Sequence, residues 1–285
     1  MIRLLMKRIL LVTFVLLAAQ LPAASPNIIF ILADDMGYGD VQALNPKSKI
    51  PTPHLNRLAK EGMTFADAHS PSGVCTPTRY GVITGRYCWR SSLKRGVLGG
   101  YSAPLIEKDR PTVGSIMQLA GYHTAAIGKW HLGMNMTRRA GGKPAKDSWD
   151  GDGNVDFTKP IADSPITRGF NEYFGVSASL DMAPYVWIEN DRFVPAKLVQ
   201  QAGIIFPGFV RAGPRAEDLK FEEGLDVLGT RTAAFLKRMA KRDNPFFLYM
   251  PLPGPHKPVT PHPRFVGKTG LGPYGDFVMN VDDTV

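Results

Sequence analysis

Residues 27–33 read NIIFILA, an unbroken apolar run closed by two acids, Asp34 and Asp35. A continuous run of this kind predicts a strand buried on both faces of a parallel sheet. The same grammar recurs twice. An apolar stretch at 122–127 leads into the loop GKWHLG, and another at 246–250 leads from Pro245 into PGPHKP. Helices fall between these runs. Thr52 as N-cap, Pro53 at the first helical position and Gly62 as a stop bracket HLNRLAKEG. Residues 112–120 predict a second helix, ending at Gly121, and the near-helical spacing of Leu225, Leu228, Phe235, Leu236 and Met239 predicts a third over 221–241. Residues 63–68 predict a further strand. The stretch 138–165, rich in Gly, Asp, Lys and Pro without periodicity, predicts a surface insertion. Strand, polar loop and helix in alternation predict an α/β fold with its polar clusters at the carboxyl ends of the strands, where open sheets bind ligands.

Composition narrows the class. With 44% hydrophobic and 21% charged residues, the chain is neither a disordered segment nor a multi-span membrane protein. Its 285 residues allow two domains of roughly 150 residues each, or one large α/β domain. The formal net charge is +9, part of it at Arg3, Lys7 and Arg8, ahead of an apolar stretch at 9–19 and the small-residue run LPAAS at 21–25. This order predicts a cleaved secretory signal peptide over 1–24, with an uncleaved anchor as the rival reading. The mature chain is then exported, without stable membrane insertion, and its remaining basic excess suits anionic substrates. No basic run is interleaved with aromatics, so no nucleic-acid partner is expected.

Candidate chemistry concentrates in a few places. Asp34 and Asp35 repel each other unless a cation or proton compensates, and such an oxygen-rich pair suits Ca²⁺ or Mg²⁺. An Asp-rich turn opening a helix is the plain alternative. Cys75 and Cys88 are too few for a disulfide framework but sufficient for one bond. Cys75 lies in GVCTPTRYGVITG at 73–85, whose core is Cys-x-Pro-x-Arg, and a second long motif, GYHTAAIGKWH, spans 121–131. Pro77 and Thr78 predict a helix start, which places Cys75 where free backbone N–H groups and the helix dipole favour an anion. Lys129 and His131, one residue apart, point the same way if their loop is extended. His54, His69, His123 and His262 have no comparable support and predict surface or structural roles.

With these two motifs in this order, preceded by NIIFILADDMGYGD and TPHLNRLAKEGMTFADAHS, the chain resembles the type I sulfatases of the alkaline phosphatase superfamily from residue 27 onward. The resemblance implies an alkaline phosphatase-like sandwich, with a central mixed, mostly parallel sheet flanked by helices. It implies hydrolysis of aryl or carbohydrate sulfate esters by Cys75 after its conversion to Cα-formylglycine, whose hydrate offers two hydroxyls. One attacks sulfur to form a covalent sulfated intermediate, and the other then expels sulfate by C–O cleavage. By the same resemblance Arg79 stabilises the formylglycine, Lys129 binds sulfate and offsets its charge, and His131 bonds the nucleophile. His256 contacts substrate and protonates the leaving oxygen, Ser179 is a further substrate contact, and Lys257 is an alternative sulfate ligand. Asp34, Asp35 and the modified Cys75 hold Ca²⁺, with Mg²⁺ the lesser candidate.

The implied partners are a sulfated small molecule or polysaccharide and a formylglycine-generating or anaerobic sulfatase-maturing enzyme. The implied location is periplasmic or extracellular. A phosphonate or phosphodiester hydrolase of the same superfamily, or an inactive secreted binder, would share most of these residues. One departure stands out: the family's later Asp-Asn pair and further Lys have no counterpart after residue 256. Asp282 and Asp283 lie on what reads as the start of a helix, with Phe277 and Val281 one turn apart. The expectation is a catalytic domain over 25–285 that is truncated before its sheet is complete, and therefore poorly soluble and inactive when produced alone.

Overall fold

The computed structural model describes residues 25–141, 153–205 and 208–285, so the expected signal segment 1–24 lies outside the described residues. In chain order the strands are β1 (Ile28–Asp34), β2 (His123–Lys129), β3 (Asn135–Met136), β4 (Ile161–Asp163) and β5 (Glu172–Val176). They continue with β6 (Ile188–Glu189), β7 (Arg192–Phe193), β8 (Leu198–Gln201), β9 (Gly213–Ala216) and β10 (Phe246–Pro255). The helices are α1 (Pro53–Glu61), α2 (Cys75–Thr84), α3 (Val113–Leu119), α4 (Gly224–Met239) and α5 (Pro273–Thr284).

Six strands form the main sheet in the order β1-β10-β2-β5-β6-β7. The first four are parallel, with Ile29 and Ala125 both level with Leu248, and β6 and β7 close the far side antiparallel. The mixed, mostly parallel sheet is therefore as expected. Alternation along β10 feeds two cores. Phe247 and Tyr249 point to one, with Ala126, Tyr173, Phe170 and Tyr80 of α2. Phe246, Leu248, Met250 and Leu252 point to the other, with Leu228 and Phe235 of α4 and Phe277 and Val281 of α5. All ten β10 residues are buried. At roughly 1.5–3 kcal/mol for each fully buried large apolar side chain, this strand is the main apolar anchor of the sheet.

Four expectations need correction. Among the described residues β1 lies at the sheet edge and is not buried on both faces, with Ile29 and Phe30 44% and 40% exposed. Its apolar run looks like that of β10, but strand order decides which run is central. Residues 63–68 form no strand, because no neighbouring strand offers them a ladder, and Met63 and Phe65 are exposed. The 138–165 stretch is not simply a surface insertion. Residues 142–152 lie outside the described residues, but β4 pairs with β3, Arg138 bridges Val155, and Met136, Val155 and Ile161 are buried in the core.

Asp282 and Asp283 stand at the end of a helix, not its start. Both Asp282 carboxylate oxygens accept backbone N–H groups at the beginning of α1, from His54 (3.1 Å) and Leu55 (2.8 Å), and Asp283 pairs with Arg264 at 2.7 Å. The expected N-cap, Thr52, instead accepts from Gln42 N and donates to Asn56. A long-range carboxylate has replaced the local cap.

Another carboxylate of α5, Asp276, accepts from Gly267 N, Thr269 N and the Thr269 hydroxyl at 2.7–2.9 Å. Its burial works against the charged form, but these donors outweigh it and lower the pKa below the ordinary 3.8. A lowered pKa means stability that is present above the unfolded value and lost as pH falls through the folded one. Urea midpoints of wild type and Asp276→Asn should therefore differ fully above pH 5 and converge as pH drops below 3.8. A gap independent of pH would show that these contacts do not depend on the charge.

Candidate active site

The site assembles where β1, β10 and β2 end. Asp34, the last residue of β1, is buried, and one of its oxygens faces two cations. Lys129 Nζ at the end of β2 donates to Asp34 Oδ2, and Arg79 Nη2 of α2 lies 3.2 Å from the same oxygen. Burial by itself would raise the Asp34 pKa. The charges of Lys129 and Arg79, joined by His256 at the low pH where it is protonated, outweigh that effect and hold the carboxyl at about 2. Arg79 is itself 1% exposed and also donates through Nη1 to the Lys129 carbonyl at 2.8 Å. Cationic compensation for this acid thus comes from within the protein.

Asp35 differs in every respect. Its φ of +63° lies in the left-handed region, which Asp tolerates better than most residues, and the turn leaves its side chain 57% exposed. The Tyr274 hydroxyl, 3.1 Å from the Asp35 carbonyl and 2.7 Å from Asp40 Oδ2, fixes this turn.

Cys75 is the first residue of α2, after the extended Val74, so the helix starts two residues before the expected Pro77 and Cys75 lies in its first turn. Both cysteines are free, and no disulfide joins them. A cavity of about 230 Å³ is lined by Asp34, Asp35, Ser72, Gly73, Cys75 and Arg79 among others. The nucleophile candidate, its arginine and both acids therefore share one chamber.

His131 is fully buried but does not sit in an extended loop: its φ is +56°. The expected parallel alignment with Lys129 therefore fails as a matter of backbone geometry, although the two still meet at the same site. His131 Nε2 lies 2.7 Å from the Leu98 carbonyl, which can only accept, so Nε2 carries the proton. Nδ1 is buried without a partner among the described residues. Burial and the charge of Lys129 push the pKa well below 6.5, leaving a neutral imidazole with a free lone pair. Thr76, unremarked in the sequence, donates to the His131 carbonyl (3.0 Å) and accepts from Leu98 N (3.2 Å), tying both partners to α2.

His256, just after β10, follows the same logic. Nδ1 donates to the Lys257 carbonyl at 2.6 Å, Ser179 Oγ lies 3.2 Å away, and Nε2 faces Asp35 Oδ2 at 3.7 Å. Burial and Lys129 lower its pKa against the pull of Asp34 and Asp181. Ser179 and His256, both expected as substrate contacts, are thus brought together. Lys257 instead lies over the Phe209 ring, 4.1 Å from its centroid. Sequence reasoning missed Asp181, fully buried and paired with Arg211, with Oδ1 unpartnered among the described residues. Its only signal was its place two residues after Ser179 in GVSASLD. Of the remaining histidines, His123 pairs with Glu172 at 2.6 Å, His262 caps a short turn, and His54 and His69 are exposed.

For a hard cation the donors fit in kind. Asp34, Asp35 and the Cys75 position supply oxygen or oxygen-precursor groups at the chamber wall. They are part of a shell only, since Ca²⁺ takes roughly six to eight oxygens. No group of three His, Cys, Asp or Glu side chains suited to a metal occurs among the described residues.

A helix start, a paired acid and two imidazoles thus meet at the carboxyl ends of parallel strands in an α/β protein. The Sulfatase family profile matches residues 26–285, and the chain belongs to that family. It is 32% identical to the N-acetylgalactosamine-6-O-sulfatase of Bacteroides thetaiotaomicron over 91% of its own length and 54% of the relative's. It is 33% identical to arylsulfatase A of Bos taurus over 94% and 49%. A solved structure from work on metabolism of multiple glycosaminoglycans by Bacteroides thetaiotaomicron superimposes with a TM-score of 0.77 at 30% identity, covering 92% of this chain and 58% of that one. The chain spans about half the length of the relatives it matches.

Lys129→Met removes one of two cations from a buried carboxylate. Breaking such a pair costs about 3 kcal/mol. Urea unfolding should show a loss of that order, and a loss below about 1 kcal/mol would mean that Arg79 alone compensates Asp34.

Proposed function

We propose that the chain carries the nucleophile end of a sulfate ester hydrolase acting on a carbohydrate sulfate. The observation that bears most weight is the shared chamber of Cys75, Arg79, Asp34 and Asp35, backed by Lys129 and two neutral imidazoles. Converted to formylglycine and hydrated, residue 75 would supply a geminal diol that attacks sulfur and later releases sulfate by C–O cleavage. Asp34, Asp35 and the modified residue 75 would hold a Ca²⁺ ion, whose chemistry is to bind sulfate oxygens and offset their charge.

The chain's own groups account for the proton traffic. The free Nδ1 lone pair of His131 can take the proton of a diol hydroxyl, because Nε2 is already committed to Leu98. His256 holds its Nδ1 proton against the Lys257 carbonyl, so Nε2 of the neutral ring carries only a lone pair and must take up a proton before passing one to the leaving alcohol. Its lowered pKa makes that proton a more acidic one. Lys129 and Arg79 stabilise negative charge gathering at the chamber. Ser179 steadies the His256 ring.

Relatives named N-acetylgalactosamine-6-O-sulfatase and N-acetylgalactosamine-6-sulfatase support a sulfated amino sugar as the substrate class. The reading also includes export to the periplasm or exterior after removal of 1–24, and a formylglycine-forming maturation enzyme as partner. No described helix is long and apolar enough to cross a membrane.

In the full-length protein, Cys75→Ala should abolish release of sulfate from N-acetylgalactosamine 6-sulfate without lowering the unfolding temperature. Cys88→Ser should leave turnover intact, since Cys88 packs at 3.7–3.8 Å against Ser91 and Leu93 away from the chamber lining. Mass spectrometry of the peptide containing residue 75 should show the aldehyde after coexpression with a maturation enzyme. Turnover by Cys75→Ala would overturn the assignment.

A further inference from the structure

The segment that follows α2 carries chemistry that the chamber does not use. A short 3-10 turn, Cys88–Arg90, buries Cys88 and leaves Tyr87 and Trp89 outward at 56% and 62% exposure. Their rings stack on each other, with centroids 5.8 Å apart and planes within 13°. A stacked aromatic pair facing solvent is an apolar platform of the kind that marks a contact site. Around it lie Arg86, Arg90, Lys94 and Arg95, with no acid anywhere from 86 to 96, so one basic run does carry aromatics, contrary to the expectation from the sequence. Arg86 is paired with Glu107, whereas exposed Arg90 and Arg95 have no ion pair among the described residues. Lys94 donates to the Trp89 carbonyl at 3.0 Å, which holds its ammonium beside the turn.

A hollow of about 220 Å³ separates Trp89, Lys94 and Arg95 from Pro71, Ser72 and Val74. Ser72 and Val74 also line the chamber of Cys75, so the two concavities share a wall. A ligand reacting at Cys75 can therefore extend across that wall toward Trp89. An apolar ring face set among uncompensated cations complements a molecule with C–H faces and negative groups together, as a sulfated saccharide has. A purely apolar partner would not account for the cations.

We propose that Tyr87, Trp89, Lys94 and Arg95 form a second saccharide subsite, holding the neighbouring anionic sugar of an oligosaccharide whose sulfate ester lies at Cys75. This rests on the sulfatase reading above. The platform would then select chains over single sugars.

The test is calorimetric titration of the full chain with N-acetylgalactosamine 6-sulfate and with a chondroitin 6-sulfate tetrasaccharide, which alternates that sugar with a uronic acid. Wild type should bind the tetrasaccharide about tenfold tighter than the monosaccharide. Trp89→Ala, and separately Lys94→Ala with Arg95→Ala, should lose most of that ratio, keep the monosaccharide affinity and unfold at the wild-type temperature. Trp89→Phe should restore most of it. An unchanged ratio in the variants would overturn the subsite, leave the sulfatase reading standing and point to a protein partner for the patch. Folded wild type that binds neither sugar would defeat the sulfatase reading and the subsite with it.

Discussion

The Asp34 carboxylate is the point on which three elements depend. It ends β1, yet its charge is balanced by Lys129 from β2 and Arg79 from α2, and all three groups are withdrawn from water. Two buried cations against one buried anion leave a positive surplus beside the chamber. Coulombic effects weaken slowly where water is excluded, so that surplus acts on whatever enters next to Cys75. Asp35 stands at the mouth with its carboxylate in solvent, where it costs little desolvation. One acid organises the site through its Oδ2, and the other lines the same chamber with its carboxylate in solvent. A side-by-side pair of aspartates has thus been split into two roles by a single left-handed residue.

The run Gly128-Lys129-Trp130-His131 shows how tightly such a site is held. Gly128 has φ of +141°, and a Cβ there would lie 2.0 Å from the Pro251 carbonyl, so β2 approaches β10 this closely only without a side chain. Trp130 is buried edge-on to Phe170 at 6.1 Å and donates to the Gly133 carbonyl at 3.1 Å. That anchor leaves Lys129 and His131 little freedom, and both reach the site without the entropy loss that a mobile loop would incur on binding. The Leu98 carbonyl then selects the His131 tautomer. Packing therefore determines which nitrogen is available for chemistry.

Much of this was legible in the sequence because it is local. Continuous apolar runs marked β1, β2 and β10, and Pro77 with Thr78 marked the first turn of α2. Gly85 closes that helix in the left-handed conformation. What local pattern cannot carry is order and distance. Two similar apolar runs gave one central and one edge strand, because neighbour choice in a sheet is set by the crossover connections and not by the run itself. Asp282 caps a helix 228 positions earlier, and Asp181 meets Arg211 from 30 positions away. Acids of this kind look like surface charge until their partners are placed. The left-handed turn at His131 was likewise invisible, since nothing in KWH distinguishes it from an extended loop.

Strand order also explains why the site could form only here. β1, β10 and β2 are adjacent and parallel, so the residues that follow them, separated widely in sequence, emerge at one edge of the sheet. An antiparallel β10 would deliver His256 to the opposite edge. Parallel order alone is still insufficient, because in strict register β10 would pass Asp34 before reaching His256. Leu32 pairs with Pro251, but Asp34 pairs with Pro255, so β10 takes four steps where β1 takes two. The two extra residues form a bulge that re-aims the chain, a common device next to functional sites. They set Pro255 level with Asp34 and His256 beside Asp35. The irregularity interrupts the ladder, yet it brings the imidazole to the acid pair. The sheet is regular where it needs only to be stable, and departs from regularity where the site requires it.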